Sequence, residues 1–377
     1  MNTEQPKLTV MHLIYRLSAG GLENGLVNLI NNTQGEGFRH IVVVLSTSTD
    51  FQKRLPDDVP VVLLNKSIGN DISLYPRIMK LIKRYSPDVF HTRNLSCIEY
   101  QTVAWLARVK RRIHSDHGWD VEDPDGTRFK PALIRRIFKR FTSKYVVLSK
   151  QAENYALTRV SVAERDLFRI CNGVDTTKFT SDLSVDSNKI TVGTVSRLEP
   201  IKGVIDIIEV AKELRSRGLT EDEIHFVVVG DGSQRNLMQE TISKHNLNGW
   251  ITLVGECPSP LQWYQNFDLY LLTSYAEGIS NTILEAMSCG LPIVATNVGG
   301  NPELVQQSCN GYLVNRGDIE GISDNIMRYL TDSKLRNSHS RSSRERAVTK
   351  FSIQAMVEKY TQLYREGESS QCVGSQE

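Results

Sequence analysis

No apolar run in this chain of 377 residues approaches the ~20 that a membrane-spanning helix needs, which argues against a spanning helix. Paired cysteines are missing too. The six, at positions 97, 171, 257, 289, 309 and 372, form no C-x-x-C pair. Without a secretory signal they are expected to be reduced thiols, mostly buried. The net charge is only +2, so there is no overall signature for nucleic acid, and any basic surface must be local. The dinucleotide fingerprint G-x-G-x-x-G is absent, which disfavours a dehydrogenase. "LTVMHLIYRL" near the start follows Pro6 and polar residues and has no small-residue cleavage site. It therefore reads as a first strand rather than an export signal, and a cytoplasmic location is expected.

The chain carries 40% hydrophobic and 23% charged residues, an ordinary globular composition. Its length exceeds what one core usually supports, so two domains are expected. Short β-branched runs alternate with helical spacing. "LTVMHLIY", "HIVVVLS", "VPVVLL", "DVFHTR" and "KYVVLS" are strand candidates in the first half. "KITVGTVS", "IHFVVVG", "WITLVG", "LYLLTS", "PIVAT" and "GYLV" follow in the second. Such alternation predicts α/β architecture with parallel sheets buried on both faces. The polar stretch "CNGVDTTKFTSDLSVDSNK" separates two series. It divides the chain into Rossmann-like domains at 1–180 and 187–350, followed by a C-terminal helix and a disordered tail over 351–377. Two doubly wound domains facing across a cleft would bind ligands outside the C-terminal ends of their strands. The loops after strands are therefore the ones to read.

After the first strand, "SAGGLENGLVNLI" places Gly20 and Gly21 ahead of a helix, where backbone could approach a ligand closely. "RRIHSDHGWD" ends a strand with His114, Asp116, His117 and Asp120. His117 is the candidate there, His114 reads as structural, and His91 in "DVFHTRN" is a candidate on the acceptor side. "TVSRLEPIKGVIDII" puts Arg197 and Lys202 on one loop, where two cations could neutralise a diphosphate without metal. "EGISNTILEAM" sets Glu277 before a helix start and Glu285 inside it. Thr282 and Glu285 fit a capping box. The same helix end could instead hold an anion while the carboxylates accept from hydroxyls. "IVATNVGGNPELV" then leads Gly299 and Gly300 into a helix predicted to start at Pro302.

Taken in order, "GGLEN", "DHG", "NGVDTTKF", "SRLEPIKG", "VVVGDGS", "EGISNTILEAMSCGLPIVATNVGGNPELV" and "NGYLV" resemble the GT-B glycosyltransferases of family 4 over nearly the whole chain. "GGLENGLVNLI", "DHGWD" and "EGISNTILEAM" further resemble the sugar transferases of bacterial exopolysaccharide and protein-sorting gene clusters. The resemblance implies retaining transfer from a UDP- or GDP-sugar to a glycan or lipid-linked acceptor, with no metal or other cofactor. It implies that Glu277 binds donor-sugar hydroxyls, helped by the main chain of Gly278, Ile279, Ser280 and Asn281. Glu285 would accept from the ribose, Arg197 and Lys202 would hold the diphosphate, and Gly20 or Gly21 would close over it. His117 would sit near the reacting carbon. Where that family often has Phe-Pro before its Asn, this chain has Ile279-Ser280, so no particular sugar is implied. The barrier would be loss of a nucleoside diphosphate, whose charge cations and helix-end N–H groups stabilise. With no protein nucleophile evident, same-face attack is expected, the leaving phosphate taking the acceptor proton.

Three other readings compete. A metal-dependent transferase would use an Asp-x-Asp pair, and "DPD" at 123–125 has the letters. An epimerase or hydrolase of sugar nucleotides would release product without an acceptor. A catalytically silent binding protein would have no use for the full set Arg197, Lys202, Glu277 and Glu285. Finally, "RFKPALIRRIFKRFTSK" at 128–144 is basic, with Leu133, Ile134, Ile137, Phe138 and Phe141 at spacings of three and four. This predicts a helix with one apolar stripe, either core-facing or touching an anionic membrane from the cytoplasmic side.

Overall fold

The computed structural model describes residues 7–18, 20–118, 126–181 and 189–366. They form two compact units. One runs to Asn172 and takes back the chain from Ile353 onward; the other is Gly173–Ser352.

The first unit is built on Leu8–Ile14 (β1), Phe38–Val44 (β2), Val61–Leu63 (β3), Val89–Arg93 (β4), Arg111–Asp116 (β5), Lys144–Val147 (β6) and Leu167–Arg169 (β7). These pair in parallel in the order β3-β2-β1-β4-β5-β6-β7. The second unit holds Ile190–Val195 (β8), Ile224–Val229 (β9), Ile251–Gly255 (β10), Leu269–Leu272 (β11), Ile293–Thr296 (β12) and Gly311–Val314 (β13). Their order is β10-β9-β8-β11-β12-β13, again all parallel. Each sheet is doubly wound, and its order reverses beside its own first strand. The switch points are β1/β4 and β8/β11, where such sheets place ligands. The central strand β11 is apolar and buried along its whole length, as parallel sheets require.

The C-terminal helix Ile353–Arg365 packs on the first unit. Met356, Tyr360, Leu363 and Tyr364 join Val10, Leu29, Phe38 and Val89 in one cluster. A polar seam runs beneath it. Arg93 Nη1 donates to His12 Nδ1 (3.0 Å), His12 Nε2 meets His40 Nδ1 (2.9 Å), and His40 Nε2 meets Thr33 Oγ1 (2.8 Å). Since the Thr33 hydroxyl donates to Leu29 O, the chain has one consistent direction, with each ring carrying a single proton.

His91 belongs to the same seam, which corrects its reading as an acceptor-side group. It lies inside β4, fully buried, with Nδ1 2.8 Å from Tyr364 Oη and Nε2 on Ser115 Oγ. β4 runs on to Arg93, so position 91 is strand interior rather than strand end.

The basic segment forms the helix Phe129–Phe138 and a short 3₁₀ turn, Lys139–Phe141. Ile134 and Phe138 face the core with Ala132. Leu133 and Ile137 do not, so the expected single stripe is split between two faces. Arg135, one of the basic residues of this segment, is buried against Asp116 at 3.0 Å.

Candidate active site

The second unit's switch point is made by the loops after β8 and β11. The first ends in a 3₁₀ turn, Pro200–Lys202, followed by Gly203 at φ 60°. A Cβ on Gly203 would overlap the carbonyl oxygen of Thr273, so the two loops touch backbone to backbone only because this residue is glycine. Tyr275 N donates to Ile201 O (2.8 Å), and Thr273 Oγ1 to Lys202 O (3.2 Å). Tyr275 Oη also donates to Asp206 Oδ1 (2.9 Å), at the start of the helix Asp206–Ser216. Burial raises the Asp206 carboxyl while this hydroxyl opposes the rise.

Thus pinned, the loops bring Lys202 and Glu277 together. Lys202 Nζ lies 2.6 Å from Glu277 Oε1, and Ser274 Oγ donates to that same oxygen at 2.7 Å. Only 18% and 9% of the two charged side chains is exposed. Among the described residues nothing donates to Oε2. One carboxylate oxygen is held by two donors and the other by none of them. Arg197, on the same loop as Lys202, is exposed.

The helix Asn281–Ser288 begins four residues after Glu277. Its cap is Ser280, whose Oγ accepts from Ile283 N at 3.3 Å. The helix thus starts ahead of Thr282, and the expected Thr282–Glu285 capping box does not form. Glu285 instead accepts a hydrogen bond from Tyr264 Oη (2.8 Å). The first-turn N–H groups favour an anion. Ile279 turns its side chain into the core, so it can offer a ligand only backbone.

Gly299 and Gly300 pack directly on this loop. A Cβ on Gly299, at φ 55°, would overlap the Glu277 carbonyl oxygen; one on Gly300 would strike Ile279 Cδ1 and Gly278 O. They hold the position of the Glu277 loop from behind. The helix that follows, Asn301–Leu304, starts one residue before Pro302 and is a single turn.

On the first unit, Gly20 caps and Gly21 opens the helix Gly21–Asn31. Gly20 has extended backbone; what excludes a side chain there is the Glu23 carboxylate, which a Cβ would overlap. Glu23 is itself buried and 3.8 Å from Arg16 Nε. His117 follows β5, its N–H donating to Asn94 Oδ1 at 2.8 Å. Neither ring nitrogen has a partner among the described residues. Burial, then the Arg93 charge, push this imidazole down to about 3, so it is neutral at physiological pH. His114 is buried on Thr92 Oγ1 at 2.8 Å, as a structural residue should be. Burial alone would raise Asp116, but Arg135, His114 and Tyr145 together hold it well below the usual carboxylate range. Asp120 and the Asp123–Asp125 pair lie outside the described residues.

Sequence reasoning did not single out Ser274, Tyr264 or Asn94. The serine three residues before Glu277 in "TSYAEG" was a local signal. Asn94 reaches across from the end of β4 to that of β5, and Tyr264 from the helix Leu261–Gln265 to Glu285 on another helix, and such contacts between elements leave none.

Comparison with known proteins gives two family matches. The model described as "Glycosyl transferases group 1" covers residues 175–346, and that described as "Glycosyltransferase Family 4" covers 19–178. A UDP-Gal:alpha-D-GlcNAc-diphosphoundecaprenol alpha-1,3-galactosyltransferase of Escherichia coli is 29% identical over 81% of this chain and 82% of its own length. The capsular polysaccharide biosynthesis glycosyltransferase CapM of Staphylococcus aureus is 23% identical over 78% and 82%. Among solved structures, HepE of Anabaena in complex with UDP-glucose superposes with a TM-score of 0.80 at 21% identity, covering 94% of this chain and 98% of its own.

Proposed function

The chain belongs to the family 4, group 1 glycosyl transferases, and from that premise we propose that it moves a sugar from a UDP- or GDP-sugar to a glycan or lipid-linked acceptor, with retention and without metal, at the inner face of the membrane. The observation that carries this reading is the Glu277 carboxylate, fixed through Oε1 by Lys202 and Ser274 with Oε2 left over. An acceptor-only group held rigidly beside a helix N-terminus suits sugar hydroxyls on one side and a phosphate on the other.

The roles follow from the chemistry. As the glycosidic C–O bond lengthens, negative charge grows on the leaving diphosphate. Arg197, Lys202 and the first turn of Asn281–Ser288 would meet that charge where it develops. Glu277 Oε2 would accept from the sugar hydroxyls, and Glu285, oriented by Tyr264, from the ribose. His117, being neutral, would carry one N–H and one lone pair near the sugar, while Gly20 and Gly21 would let backbone approach the diphosphate. No residue is assigned as nucleophile; the acceptor hydroxyl would attack the same face and pass its proton to the departing phosphate. The E. coli relative supports a UDP-sugar donor and a lipid diphosphate acceptor, since its name specifies both. The capsular relative supports a place in cell-surface polysaccharide synthesis.

The test is a screen of UDP-, GDP- and ADP-sugars by ligand-observed NMR, then incubation of the best binder with a polyprenyl-diphosphate-linked sugar. Transfer to the lipid is expected. Release of free sugar at the same rate with or without acceptor would replace this reading with hydrolysis.

A further inference from the structure

Phe129, Leu133 and Ile137 recur at every fourth position of the helix Phe129–Phe138 and therefore share one face. All three are exposed, at 73%, 40% and 46%. Single exposed apolar residues need no explanation, but a row of them does. Phe141, one further turn on, lies edge-to-face with Trp105 at 5.4 Å, and Trp105 is 50% exposed. The row thus ends in an indole at the surface. At ~100° per residue, Arg136 falls on one flank of this row and Lys130 on the other, and both are exposed. Across the described residues of 100–152 the one acidic side chain is Asp116, which is buried under Arg135. The acidic residues of 119–125 lie outside the described residues.

We infer that this face is a docking surface for an anionic lipid bilayer, with Phe129, Leu133, Ile137 and Trp105 entering the interfacial region and Lys130 and Arg136 meeting lipid phosphates. Apolar side chains at the centre with cations at both flanks fit a helix lying in the membrane plane, and an indole favours the same depth. A protein partner would also cover apolar surface, but it would not call for charge of a single sign on both flanks. No helix among the described residues is long and apolar enough to cross a membrane, so contact through this face would be peripheral. The inference deepens the proposed use of a lipid-linked acceptor and rests on that reading for its purpose, but its test needs no catalysis.

The full chain is sedimented with vesicles of phosphatidylglycerol and phosphatidylcholine, and with phosphatidylcholine alone. Binding to the anionic vesicles only, weakened by salt, is expected. Leu133→Ser with Ile137→Ser should reduce it at least tenfold, and Lys130→Gln with Arg136→Gln about 25-fold, at about fivefold per cation. These side chains are exposed, so thermal unfolding and UDP-sugar binding should not change in either variant. Equal sedimentation with both vesicle types, or variants that bind like the parent, would overturn the inference. So would a reversible dimer, seen by ultracentrifugation, that the Leu133→Ser/Ile137→Ser variant abolishes; the face would then belong to a second copy. Loss of UDP-sugar binding by the unmodified chain would instead strike at the transferase reading and leave the docking result standing.

Discussion

At the scale of single residues, Lys202 and Arg197 looked interchangeable as loop cations in the sequence. The structure separates them. Lys202 is enclosed with Glu277, so Lys202→Ala strands a carboxylate and should lower stability by about 2 kcal/mol, read as a shift in urea midpoint. Arg197→Ala should leave unfolding unchanged, as exposed charges usually do, while weakening nucleoside diphosphate binding. If both variants unfold like the parent, the Lys202–Glu277 pair is not formed in solution. Glu277→Gln keeps the shape of the side chain and removes its charge. A fall in turnover of ~100-fold, about 2.7 kcal/mol of transition-state stabilisation, is expected from steady-state kinetics. Turnover within twofold of the parent would remove Glu277 from the reaction.

At the scale of elements, the glycine pairs and the histidine seam show what sequence could and could not tell. That Gly299 and Gly300 mattered was legible from their place after a strand; that they serve by packing behind the Glu277 loop was not. The overlap depends on two loops separated by β12. Gly299→Ala should therefore destabilise the second unit by ~2 kcal/mol, from strain at positive φ together with the lost contact, and should weaken donor binding with it. A variant equally stable in urea would contradict the packing. The seam of His12, His40 and His91 was hidden because register alone brings those strands' histidines together, as His12 beside His91. Burial, then the Arg93 charge, hold all three below the ordinary imidazole value, His40 at about 4. Below about pH 6.5 the unfolded chain binds protons that the folded chain refuses. Stability is complete above that pH and falls as pH drops toward 4, by up to ~1.4 kcal/mol per unit for each histidine. Urea unfolding between pH 7.5 and 4.5 measures this, and a flat profile would mean that the seam is already protonated or open to water.

At the scale of the whole molecule, fold class was the most legible property. Strand-helix alternation and apolar runs suffice for two doubly wound sheets, and most strands lie where their β-branched runs do. β7 escaped because three residues, "LFR", carry no pattern. The destination of the helix Ile353–Arg365 escaped because its Tyr360 and Tyr364 would suit either core. The burial of Arg135 was not legible for the same kind of reason, its partner Asp116 lying on another element. The central claim is metal-independent, retaining transfer from a nucleotide sugar. The most direct test takes the purified chain in excess EDTA with an α-linked UDP-sugar and a polyprenyl-diphosphate-linked acceptor, and reads the anomeric proton of the product by NMR. An α-linked product formed in the chelator is the predicted result. A β-linked product, or no transfer until Mn²⁺ is restored, would contradict the account.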